Sequence, residues 1–166
     1  MENTTLDILK QAILLEKRGR SFYQTVAAKT ESEPVKLFFE MMADEEASHI
    51  QILSDQFKSF KNTGQFTAHP LEDQHSQVAA SNVLTKNIKN QISAAGFESA
   101  AISAAMAMEQ KAINVYSGRA GTAEDPEEKK LYEWLSDWEQ THLDMLVKMD
   151  QELTEDVWYD NQFWPF

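Results

Sequence analysis

Apolar residues recur along this chain at helical spacing, in four separate runs. The first places Leu6, Leu9, Ile13, Glu16, Tyr23 and Ala27 on one i, i+3, i+4, i+7 stripe, with Thr5 as its expected N-cap. The second carries Val35, Phe39, Met42, Glu46, His49, Leu53 and Phe60. Ser32 can cap it, and Pro34 falls in its first turn, where a missing N–H does no harm. The third carries Ile102, Met106, Glu109, Ile113, Tyr116 and Ala120, and the fourth Tyr132, Leu135, Glu139, His142, Leu146, Met149 and Leu153. The fourth opens on Asp125-Pro126-Glu127-Glu128, an N-cap, a proline at N1 and acidic side chains against the positive end of the helix dipole.

These patterns predict four helices, at about 5–30, 33–60, 98–120 and 126–153. The links between the first and second, and between the third and fourth, are short, and short links make antiparallel neighbours. Residues 61–97 form a long connection, predicted to cross along the bundle with a short helix near Val83 to Ile92. The expected fold is therefore all-α: a four-helix bundle of two antiparallel hairpins joined by a long crossover, in one domain spanning 1–166. The last ten residues, VWYDNQFWPF, hold five aromatics and no helical stripe. That aromatic tail, 157–166, is expected to pack on the bundle or in a homodimer contact.

Every stripe contains an ionisable residue where an apolar one belongs, and the offending residues repeat. At an offset of 93 (109 − 16), Glu16 matches Glu109, Tyr23 matches Tyr116, Glu46 matches Glu139 and His49 matches His142. Apolar positions follow in kind, Leu9 with Ile102, Phe39 with Tyr132 and Met42 with Leu135. One hairpin is thus written twice. Each copy supplies a Glu from its first helix and Glu-x-x-His from its second. The repeat also separates two neighbours: Glu46 is matched by Glu139, whereas Glu45 is matched by Trp138. Glu46 is assigned to the inner face, and Glu45 to an outer position or to one that supports a ligand from behind.

The spacing brings these residues level. Glu16 lies about 14 residues before the first turn and Glu46 about 14 after it, so at ~1.5 Å per residue both sit roughly 21 Å from that turn. Each histidine lies one turn further along the face of its Glu. Packed about a pseudo-twofold axis, the two hairpins bring four carboxylates and two imidazoles together at mid-bundle. Four buried carboxylates repel, and desolvating them costs several kcal/mol each. Two divalent cations cancel that charge, +4 against −4. Oxygen and imidazole donors without sulfur suit iron or manganese, with zinc also able to bind. Tyr23 and Tyr116 stand two turns after Glu16 and Glu109, and a hydroxyl there can hydrogen-bond a ligand carboxylate. Trp134 and Trp138 are read as packing, and His69 and His75 as surface residues of the crossover.

Composition narrows the partners. With 15 Lys and Arg against 27 Asp and Glu, the net charge is −12, which argues against nucleic acid and anionic membranes. There is no cysteine, so disulfides, thiolate-bound metals and iron–sulfur clusters are excluded. The N-terminal stretch does not read as a signal peptide, and no apolar run approaches ~20 residues. A cytoplasmic location is the expectation.

The runs LEKRGRSFYQTVAAKTES, KLFFEMMADEEASHIQIL, AMEQKAINVYSGRA and LYEWLSDWEQTHLDML resemble the rubrerythrin-type branch of the ferritin-like superfamily. The resemblance covers about residues 5–60 and 98–153. It implies a di-iron site with Glu16, Glu46, His49, Glu109, Glu139 and His142 as ligands. Two departures stand out. Rubrerythrins proper carry a cysteine-rich rubredoxin domain that delivers electrons; this chain has no cysteine, so its electron donor is expected to be a separate molecule. They also place a further Glu three residues after the helix-three ligand, where this chain has Ala112. That argues against the iron-shifting peroxidase cycle and for a more symmetric ligand set.

The leading expectation is a di-iron oxidoreductase of peroxidase or ferroxidase type, with two irons, or manganese or a mixed pair, passing electrons to peroxide or dioxygen. Two alternatives share the scaffold: iron binding without turnover, as a store or sensor, and oxygenation of an organic substrate.

Overall fold

The computed structural model describes residues 4–68 and 96–160, with residue 152 and residues 155–160 described as backbone alone. Four helices make up the described chain: α1 (Thr5–Lys29), α2 (Glu33–Thr63), α3 (Phe97–Thr122) and α4 (Pro126–Asp160). The predicted short helix at 83–92, His69 and His75 lie outside the described residues.

Local chemistry sets the helix ends. Thr4, not Thr5, caps α1: its hydroxyl accepts from the Asp7 N–H at 3.3 Å. Ser32 holds the N-cap position of α2, and its side chain makes no cap hydrogen bond. At α4, Asp125 Oδ1 accepts from the N–H groups of Glu127 and Glu128 at 2.8 and 3.2 Å. Helix α2 stops at Gly64, whose φ of 72° is left-handed and suits a residue without Cβ. Gln56 then fixes the departing chain, accepting from the Thr67 N–H and donating to its C=O. The expected tail at 157–166 is corrected in part. Helix α4 continues through Asp160, because no proline or glycine interrupts its backbone before Pro165.

Helices α1 and α2 pack as one close pair and α3 and α4 as another, in an all-α bundle. The apolar interior divides into two clusters. One gathers Tyr23, Val26, Phe38, Phe39, Ile102, Leu146 and Met149; the other Leu9, Leu53, Tyr116, Leu131, Tyr132 and Leu135. The first joins the end of α1 to the start of α3, and the second the reverse, so α1 and α3 run antiparallel. The offset of 93 maps Tyr23 onto Tyr116, Phe38 onto Leu131 and Leu146 onto Leu53. Repeat mates therefore sit at opposite ends, as a twofold axis across the bundle requires. Chain order then puts the end of α2 and the start of α3 at opposite ends too, the two points a crossover must join.

Five expected stripe positions are corrected, Leu6, Phe60 and Met106 being only partly buried. Ile13 and Ile113 are likewise only partly buried; Ala12, Gly19, Ala105 and Ala112 take the inner positions. Small side chains let α1 and α3 approach closely. Between α2 and α4 the large side chains of Trp134 and Trp138 line an open cleft.

Candidate metal centre

Six residues converge between the two apolar clusters. Glu16, Glu46, His49, Glu109, Glu139 and His142 are each at most 3% exposed. They resolve into two overlapping groups of four, Glu16–Glu46–His49–Glu139 and Glu46–Glu109–Glu139–His142, with the donor atoms of each group within 4.8 Å of one another. Glu46 and Glu139 belong to both. Each helix reaches the cluster from its own stripe, one Glu from α1, one from α3, and Glu-x-x-His from α2 and α4.

Both imidazoles present Nδ1 to the carboxylates. His49 Nδ1 lies 3.0 Å from Glu16 Oε2 and 3.1 Å from Glu139 Oε1. The first contact is a hydrogen bond; Glu139 Oε1 is buried with no hydrogen-bond donor among the described residues. His142 Nδ1 lies 3.0 Å from Glu139 Oε2 and 3.6 Å from Glu109 Oε1. The ring centroids of His49 and His142, repeat mates, are 6.1 Å apart. Carboxylate oxygens and imidazole nitrogens around a bare oxygen form a set of hard and borderline donors, which fits a divalent first-row cation.

Electrostatics show what the cluster costs without a cation. Burial, and then the charges of Glu139 and Glu16, push the Glu46 carboxyl far above the usual range. Burial and the Glu139 charge raise Glu109 to about 7. Burial alone would lower the histidines, but the surrounding carboxylates overcome it: Glu139 and Glu16 raise His49 to about 10, and Glu109, Glu139 and Glu45 raise His142. Glu139 goes the other way. Burial opposes its charge, yet the two imidazoliums hold it well below the carboxylate range. Protons thus do the neutralising in the metal-free cluster, and each can be exchanged for cation charge.

The tyrosines hold the carboxylates from outside, crosswise. Tyr23 of α1 donates to Glu109 Oε1 of α3, and Tyr116 of α3 donates to Glu16 Oε1 of α1. Both rings are fully buried. Burial, then the nearby glutamate charges, raise both phenols well above their ordinary value, so they remain O–H donors. Sequence spacing placed each tyrosine near a ligand Glu; the structure assigns it to the Glu of the other hairpin.

Glu45 sits behind His142, where its Oε2 meets Nε2 in a short hydrogen bond. The Trp138 indole N–H lies 3.3 Å from that oxygen and 3.1 Å from His142 Nε2. With the Nε2 proton directed at Glu45, the carboxylate accepts from both. Trp134 and Trp138, expected only to pack, meet the His49 ring edge-to-face, each with centroids 5.7 Å away.

Sequence reasoning missed the small-residue side of the centre. A cavity of about 20 Å³, room for about one water, is lined in part by Gly19, Tyr23, Glu46, Glu109, Ala112 and Glu139. Gly19 and Ala112 are repeat mates, three residues after Glu16 and Glu109. That register was the available signal, but side chains this small carry no hydropathy pattern.

An antiparallel four-helix bundle whose facing helices supply paired Glu and Glu-x-x-His residues is the ferritin-like class, with a buried cluster able to hold metal. Within it, the rubrerythrin family model matches residues 7–150, and the chain belongs to that family. No individual curated protein and no solved structure matches it. Among the described residues no helix is long and apolar enough to cross a membrane.

Proposed function

We propose that this protein is a di-iron carboxylate oxidoreductase that reduces peroxide or dioxygen. One observation carries the reading: the six buried residues form two overlapping four-residue groups that share Glu46 and Glu139. Glu16, Glu46, His49 and Glu139 would hold one iron, and Glu46, Glu109, Glu139 and His142 the other. Bound as a ferrous pair, the metals supply two electrons to an oxidant.

The chain's own residues do the rest. The imidazoles turn Nδ1 inward, and Glu45 fixes the tautomer of His142 by accepting at Nε2. Tyr23 and Tyr116 tie the α1 and α3 carboxylates across the hairpin boundary, so that neither swings free when its charge changes. The apolar clusters above and below exclude bulk water. The cavity beside Gly19 and Ala112 has room for about one water-sized molecule next to the carboxylates.

Anaerobic titration with ferrous iron tests the reading. Two irons per chain are expected, with optical oxidation on adding one equivalent of peroxide and repeated turnover when a reductant is supplied. Glu16→Ala should take up less iron and lose the thermal stabilisation that iron confers. Uptake of less than two irons, or iron that peroxide leaves ferrous, refutes it. Stoichiometric oxidation without turnover would assign the protein to iron storage or sensing.

A further inference from the structure

The two halves of the centre are not alike behind their histidines. His142 Nε2 has an acceptor in Glu45. The repeat mate of Glu45 is Trp138, whose indole nitrogen only donates. His49 Nε2 is accordingly buried with no hydrogen-bond partner among the described residues. His49 forms part of the lining of an open cleft of about 440 Å³ between α2 and α4, together with Trp134, Trp138, Glu40, Asp44 and Glu45. Its Nδ1 edge faces the carboxylates, so the unpartnered edge is the one turned away from them.

When Nδ1 of His49 binds a cation, the ring's remaining proton resides on Nε2 and requires an acceptor. Among the described residues no group provides one. The cleft has the volume of a small-molecule site, apolar walls and two indole rings for a flat aromatic to lie against. Its other charged walls are carboxylates, which repel anions. We propose that this cleft binds a neutral, planar aromatic molecule bearing a ring carbonyl, seated against Trp134 and Trp138 and accepting a hydrogen bond from His49 Nε2. The inference rests on the metal reading of His49 and adds to it a ligand class and a place.

Menadione, a neutral naphthoquinone, and its anionic relative naphthoquinone-2-sulfonate are suitable probes, since a chain without cysteine offers no thiol for quinone addition. Zinc-loaded protein, of verified metal content, is titrated with each by calorimetry, so that no redox reaction intervenes. Menadione should bind saturably at one site per chain, and the sulfonate at least tenfold more weakly. Ser48, exposed on α2 at the cleft wall, offers a blocking variant. Ser48→Phe should weaken menadione at least tenfold with metal content unchanged. Asp44→Asn should bring the two affinities closer, which serves if Ser48→Phe fails to fold. Metal-replete protein that binds no menadione, binds it equally well after Ser48→Phe, or fails to discriminate against the sulfonate overturns this inference and leaves the metal reading intact. Protein that takes up no metal overturns both.

Discussion

The α1 backbone passes close to Glu46 at Gly19, and Gly19→Ala has a calculable effect. A Cβ there would meet the Glu46 carboxylate, 3.2 Å from Cδ and 3.3 and 3.4 Å from its oxygens. Two terms oppose each other in the metal-free protein. Replacing a mid-helix glycine by alanine stabilises by about 0.5–1 kcal/mol. Moving Glu46 back by a few tenths of an ångström, off its torsional minimum, costs about 0.5–1.5 kcal/mol. They nearly cancel, so the melting temperature of chelator-treated protein should move by no more than about 2 °C. With metal bound the balance changes. Glu46 belongs to both four-residue groups, so its displacement would weaken cation binding by either. Zinc affinity, measured by chelator competition, should fall at least tenfold, or about 1.4 kcal/mol. Ala112→Gly is the control at the mate position. It should destabilise metal-free and zinc-loaded protein alike by about 1 kcal/mol, with unchanged affinity. If Gly19→Ala stabilises the metal-free protein by the full helix-propensity gain and binds zinc normally, the close approach does not constrain Glu46.

Three further outcomes follow from the same geometry. Glu109, raised from 4.5 to about 7, and His49, raised from 6.5 to about 10, hold protons in the native state that the unfolded chain releases. The stability of chelator-treated protein should therefore fall as pH rises from 5 to 10, while the stabilisation by added zinc grows; a melting temperature that rises with pH for metal-free protein refutes this. Tyr23→Phe leaves Glu109 Oε1 without its hydroxyl donor and should cost about 1–3 kcal/mol in denaturant titrations of metal-free protein, with Tyr116→Phe costing a similar amount through Glu16; a difference of several kcal/mol between them would refute the crosswise pairing as a symmetric device. Arg119, partly exposed, donates from Nε and Nη2 to the buried Glu128 at 2.8 and 2.7 Å, where the other hairpin has Val26 and Val35. Arg119→Val should destabilise by about 3 kcal/mol, and Arg119→Val with Glu128→Val should recover most of it; a double variant as unstable as the single one refutes the account.

Much of this protein is legible in one dimension. Helix existence follows from four apolar stripes at 3.6-residue spacing. The six cluster residues follow from charges standing on those stripes in two registers 93 apart. Residues at i and i+3 on a helix have no choice but to share a face, so Glu46 with His49 and Glu139 with His142 were determined locally. The demotion of Glu45 was likewise available, because the repeat puts Trp138 in its place.

What tertiary structure alone decided lies between the helices. Spacing along α1 relates Tyr23 to Glu16, yet packing gives its hydroxyl to Glu109, because a twofold axis across the bundle sets the α1 tyrosine beside the α3 carboxylate. Ala12, Gly19, Ala105 and Ala112 leave no mark on a hydropathy pattern, yet they let α1 and α3 close together and leave the small cavity beside the centre. Trp134 and Trp138 read as ordinary core, yet they wall the cleft on the opposite side and leave His49 Nε2 without a partner. Periodicity reports which face of a helix turns inward. How near two such faces come, and which atoms meet there, depends on side-chain volumes contributed by several segments at once, and only the packed bundle adds them up.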